Sequence, residues 1–113
     1  MQERKELGKI QKVSVGFGGY QDAMFGITFT LGGEGWGVCD NWGTWAPGIV
    51  DATEYTEWTD SERREQLADI ATRISKLLLT AKKTDVMQLA NVPIEITFEG
   101  TTLKSWRVLT EVL

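Results

Sequence analysis

Three tryptophans sit among glycines in GEGWGVCDNWGTW, residues 33–45: Trp36, Trp42 and Trp45, with Gly35, Gly37 and Gly43 beside them. An indole face stacks on planar groups, and bare backbone next to it leaves room, so these residues could wall a recess for a flat ligand. The same rings could instead pin a long segment as a small satellite core, and the pattern leaves both uses open. Gly19, Tyr20, Gln21 and Asp22 in GGYQDA add a phenol, an amide and a carboxylate, a set able to read the edge of a base or another small polar ring. Lys104, Trp106 and Arg107 in LKSWRVL could meet a phosphate or carboxylate beside an aromatic ring. Strand alternation puts Lys104 and Trp106 on one face and Arg107 on the other. With Asp40 between the tryptophans, these are the candidate ligand-binding residues.

Other chemistry is excluded by what the 113 residues lack. There is no histidine, which removes the commonest general base, the usual zinc ligand and every Ser-His or Cys-His nucleophile pair. No catalytic residue is therefore expected. The single cysteine, Cys39, has no cationic neighbour and reads as a small buried residue. GFGG and GGEGWG lack the Lys-Ser/Thr of a phosphate loop, and no Gly-x-Gly-x-x-Gly opens a helix. Asp40, Asp51, Glu54 and Glu57 match no Mg²⁺ or Ca²⁺ loop spacing and read as solvated loop charge, so neither metal nor cofactor is expected.

The net charge is −4, and residues 1–58 carry four basic against eight acidic side chains while the rest balance eight against eight. That distribution argues against bulk double-stranded nucleic acid as a partner. No apolar run is long enough for a membrane span and none follows the charged MQERKELGK, so a cytoplasmic protein is expected.

The elements that must position these residues follow from periodicity. In KIQKVSVGF, Val13, Val15 and Phe17 alternate as in a half-buried strand, and in MFGITFTL, Phe25, Ile27, Phe29 and Leu31 share a face. GGYQDA is the turn between them. WGVCDNW reads as a short third strand, GTWAPGIVDATEYTEW as an ordered loop, and the initial ERKE as a frayed end. Thr59 and Glu62 form a capping box ahead of a helix whose stripe is Leu67, Ile70, Ala71, Ile74, Leu77, Leu78 and Ala81. Lys82 and Lys83 complement its C-terminal dipole. TDVMQLANVP adds one helical turn, and IEITF and TTLKSWRVLTEVL form a second hairpin about Glu99-Gly100. The order β-β-(β)-α-β-β predicts a single two-layer α+β domain over 1–113: two antiparallel β-hairpins in a sheet packed against one long amphipathic helix.

GGYQDAMFGITFTLGGEGWGV, with WGTW after it and LKSWRVLTEVL at the end, resembles a family of small proteins encoded by tailed bacteriophages and prophages. The resemblance implies a phage-encoded protein acting in the host bacterial cytoplasm, with Gly18, Gly19, Tyr20, Gln21, Asp22, Trp36, Gly37, Asp40, Trp42 and Gly43 carrying the family's motifs. Asn41 departs from it, standing where an aromatic residue is expected. By analogy of genome context, such a protein would counter bacterial defence.

The leading expectation is a non-enzymatic binder that sequesters a small nucleotide-like signalling molecule between the Gly/Trp segment and the GGYQD turn, closed by homo-oligomerisation. A second is a protein–protein inhibitor of a host defence enzyme, its acidic first half mimicking DNA and its tryptophans acting as anchors. A third, single-stranded nucleic-acid binding in phage replication, has the aromatic residues but lacks a basic groove.

Overall fold

The structure, a computed structural model, describes residues 2–18, 23–46 and 59–113. Its elements are β1 (Glu3–Gly18), β2 (Met24–Gly33), β3 (Trp36–Trp45), α1 (Asp60–Ala81), β4 (Pro93–Glu99) and β5 (Thr102–Val108), with single 3₁₀ turns at Val86–Leu89 and Thr110–Val112. The strands form one antiparallel sheet in the order β3-β2-β1-β4-β5, against which α1 packs. The expected α+β architecture, hairpin-like strand pairs against a long helix, is what the chain adopts.

β1 is longer than its apolar alternation suggests. Its first half pairs with β4, from Glu3 opposite Glu99 to Lys9 opposite Pro93, and its second half with β2, from Gly8 opposite Gly33 to Gly18 opposite Met24. ERKE is thus not a frayed end but the start of the central strand. No apolar pattern marks it because backbone pairing with β4 holds it while its side chains make exposed contacts: Lys5 lies 3.9 Å from Glu95, Glu3 bonds Lys104, and the Arg4 guanidinium sits 4.9 Å from the centre of the Phe98 ring.

Ile10, Ile27, Phe29, Leu31, Ile94 and Ile96 are almost wholly buried on the face that α1 covers. Each contributes about 1.5–3 kcal/mol by leaving water. Thr59 caps α1 by accepting the Glu62 N–H at 3.1 Å. At the other end Lys82 is itself the left-handed cap, its N–H turned back to the Leu78 and Leu79 carbonyls. Along the stripe Ile70 and Ala81 are buried, Leu67, Ile74, Leu77 and Leu78 are half-buried, and Ala71 is exposed. The helix rides mainly on β3 and touches β5 more lightly, which leaves hollows along its flanks.

β3 does not stop at Trp42. It runs through Gly43, Thr44 and Trp45, opposite Gly26, Phe25 and Met24, and the Thr44 hydroxyl bonds Gln66 of α1. The expected loop begins only after it, and its residues 47–58 lie outside the described ones. Cys39 is exposed rather than buried: it sits opposite Thr30 on the outward face of this edge strand, with its sulfur 3.9 Å from the Thr30 hydroxyl. The turn from β2 to β3 closes at Gly35, whose φ of +79° suits a residue without a Cβ. TDVMQLANVP supplies the Val86–Leu89 turn, capped by Asp85, which accepts the Met87 N–H at 2.7 Å.

Candidate functional site

Strand alternation turns Phe29 of β2 and Asp40 and Trp42 of β3 to the inner face, and Trp106 of β5 reaches the same place from the far end of the sheet. Phe29 is the floor. The rings of Trp42 and Trp106 meet it at centroid distances of 4.6 and 5.2 Å, both edge-on. The two indoles are nearly parallel, 16° apart with centroids 6.2 Å from each other. One oxygen of Asp40, Oδ2, accepts both indole N–H groups, at 3.1 Å from Trp42 and 2.7 Å from Trp106. Asp40 is therefore not a solvated loop charge: it fixes the orientation of two stacking surfaces.

α1 supplies the cations. Arg73 lays its guanidinium 4.0 Å from the centre of the Trp42 ring, and Lys76 and Thr80 follow on the same helix flank. Between this flank and β5 lies an open cleft of about 510 Å³, walled by the two indoles and Leu77. Among the described residues neither Arg73 nor Lys76 has a carboxylate within ion-pair distance. On the other side of the Arg73–Trp42 contact a second hollow of about 490 Å³ is rimmed by Glu62, Glu65 and Asp69. The contact thus separates a cationic cleft from an acidic one.

Five residues singled out in the sequence, Asp40, Trp42, Lys104, Trp106 and Arg107, line this one cleft. Their roles differ from expectation. Thr97 faces Ser105 and Phe98 faces Leu103, which leaves Lys104 as the extra residue of a β-bulge. Lys104 and Trp106 therefore do not share a face, and the Lys104 amine is bonded to Glu3. That hydrogen bond raises the lysine pKa and lowers that of Glu3. Arg107 grips both oxygens of Glu111 at 2.9 Å and Glu95 at 3.2 Å. Its pKa rises, and the Glu111 carboxyl is held down to about 2 by the same bonds. Both cations stand at the rim with their charge already engaged.

Trp36 and Trp45 lie elsewhere. Trp36 is half-buried over the glycine pair Gly8 and Gly33, edge-on to Phe98 at 5.6 Å. A Cβ at Gly33 would stand 2.6 Å from its indole nitrogen and one at Gly8 2.5 Å from Cζ2, so this bare backbone makes room for the tryptophan itself. Trp45 is buried, with Arg63 5.8 Å from its ring centre. These two rings are core, and they do not join the stacking wall. Gly19, Tyr20, Gln21 and Asp22 lie outside the described residues. Sequence reasoning missed Arg73, Lys76 and Thr80, whose spacing of three and four beside the apolar stripe was the available signal. Among the described residues no group of acidic or sulfur side chains could hold a metal ion, and no helix is long and apolar enough to cross a membrane.

Compared with protein-family models, curated proteins and solved structures, the chain matches none.

Proposed function

We propose that the chain is a non-enzymatic binding protein that takes a planar, anionic, nucleotide-like small molecule into the cleft between α1, β3 and β5. The observation that carries this reading is the indole pair oriented by Asp40, next to two cations, Arg73 and Lys76, that no carboxylate among the described residues neutralises. Indole faces stack on a base, and a guanidinium and an ammonium one turn apart on a helix meet a phosphate. Against the one negative charge of Asp40, whose Oδ2 holds the two N–H donors, Arg73 and Lys76 bring two positive ones. A volume of about 510 Å³ lies in the range of small-molecule sites. On the resemblance of its motifs to phage proteins, we propose that this binding takes place in a bacterial host, where the ligand would be a nucleotide signal of defence and the effect its sequestration.

The test is titration of the purified protein with adenosine monophosphate, a cyclic dinucleotide and oligo-dT at low salt, followed by tryptophan fluorescence and calorimetry. Quenching by a nucleotide that weakens as salt rises, and that is lost in an R73A/K76A variant, is the expected result. Tight binding of oligo-dT alone would move the reading to single-stranded nucleic acid, and no response to any of the three would overturn it.

A further inference from the structure

We infer that the chain forms a twofold dimer through the outer edge of β1, residues 11–18, with a second copy of itself as the partner. Two independent observations meet there.

The first concerns the backbone. β1 has a strand on each side only at Gly8 and Lys9, and its β4-side edge is last satisfied at Ile10, which bonds Val92 and Asn91 at 3.0 and 2.7 Å. Beyond Ile10, nothing among the described residues pairs with that edge. A row of free N–H and C=O groups is a template for another strand, and proteins usually blunt it with charge, a bulge or a cover. The other edges among the described residues have such defences: residues 3–7 of β1, unpaired on the β2 side, carry Glu3, Arg4, Lys5 and Glu6, β3 lies beside α1, and β5 carries the bulge at Lys104 and the ion-paired Arg107. Over residues 11–18, Lys12 is the lone charge, and the bulge at Gln11 stands only at the start of the stretch, leaving residues 12–18 in regular register.

The second concerns the side chains. Val15 and Phe17 are 56% and 62% exposed although they lie opposite Ile27 and Phe25, on the face that forms the core further along the sheet. Among the described residues the core face runs on past the helix here, with Phe17 edge-on to Phe25 beside the hollow that Trp45 and Leu67 also line.

The sequence of this edge fits itself. Residues directly opposite in an antiparallel pair share a face, so a twofold axis through Val15 sets Val15 against Val15, Val13 against Phe17 at both ends, and Ser14 against Gly16. Lys12 falls opposite Gly18, and the two lysines are roughly 20 Å apart, well beyond the screening length of about 8 Å. Centring the pair on Ser14 instead would set Phe17 against Gln11 and bring the lysines closer. The contact is isologous and closes, as a twofold interface must. This inference does not rest on the ligand reading.

Size-exclusion chromatography with light scattering should give twice the 12.6 kDa of the chain. V15K places two ammonium groups face to face at the axis and should give the monomer mass, with circular dichroism unchanged and melting still cooperative because Val15 is already exposed in one copy. In a C39S background, V15C should form an intermolecular disulfide on mild oxidation and K12C should not. A wild-type monomer, a V15K dimer, or cross-linking through K12C in place of V15C would each overturn the proposal.

Discussion

Trp106 donates its indole N–H to Asp40 at 2.7 Å, and the two residues belong to β5 and β3, the opposite ends of a five-stranded sheet. Four interstrand steps of about 4.8 Å would hold the ends of a flat sheet roughly 19 Å apart. The sheet therefore curls until its edges meet side chain to side chain, and the cleft exists because they meet there without pairing their backbones.

Removing that junction should cost stability. In D40A the two indole N–H groups lose their shared acceptor in a part-buried setting, with an expected loss of about 2 kcal/mol in urea unfolding and a red-shifted tryptophan emission. D40N keeps an acceptor oxygen and should lose less than half as much. Equal, small losses in both variants would mean that the rings are held by packing on Phe29 alone.

Arg73 and Lys76 should separate binding from folding. Neither has a carboxylate partner among the described residues, so R73A should lose only the cation–π contact with Trp42, about 0.5–1 kcal/mol, and K76A almost nothing in a thermal melt. Either change should weaken nucleotide affinity about tenfold at low salt, the size of one charge-assisted hydrogen bond. Calorimetry at two salt concentrations checks it. An affinity unchanged in both variants would place the anion elsewhere.

The glycines under Trp36 should resist substitution. G33A places a methyl 2.6 Å from both the Trp36 nitrogen and the Leu7 carbonyl, so overpacking should destabilise by about 1–3 kcal/mol. Adding W36A removes the first clash but not the second, and chemical unfolding of the single and double variants should show partial rescue. Full independence of the two changes would disprove the contact.

Much of this architecture could be read from residue order because local rules and packing agree: the Thr59 cap, the alternation of Ile27, Phe29 and Leu31, and the β4–β5 hairpin all follow from period and turn chemistry. The first half of β1 could not, since Glu3 to Glu6 are held by contacts with residues some ninety to a hundred positions away. The site was half legible. Aromatic and charged types pointed to Asp40, Trp42 and Trp106, but their meeting depends on the curl of the sheet, and a single bulge residue at Lys104 undid the face assigned to it. Trp36 and Trp45 were ambiguous for a physical reason: an indole beside glycine looks the same whether the space holds a guest or the indole.

Acid should loosen the C-terminal turn through Glu111. The bonds from Arg107 hold its carboxyl at about 2, against a usual value of 4.5 in the unfolded chain. A carboxyl whose folded pKa is depressed stabilises the fold fully above its unfolded pKa and loses that contribution as pH falls through the folded one. The melting temperature of the wild type should therefore exceed that of E111Q by a small, constant margin above about pH 5, and the margin should shrink between 4.5 and about 2. The margin is small because both groups are solvent-exposed. Carboxyl NMR titration gives the direct check: a Glu111 midpoint near 2 that returns toward 4.5 in R107A supports the pairing, and a midpoint already near 4.5 in the wild type refutes it.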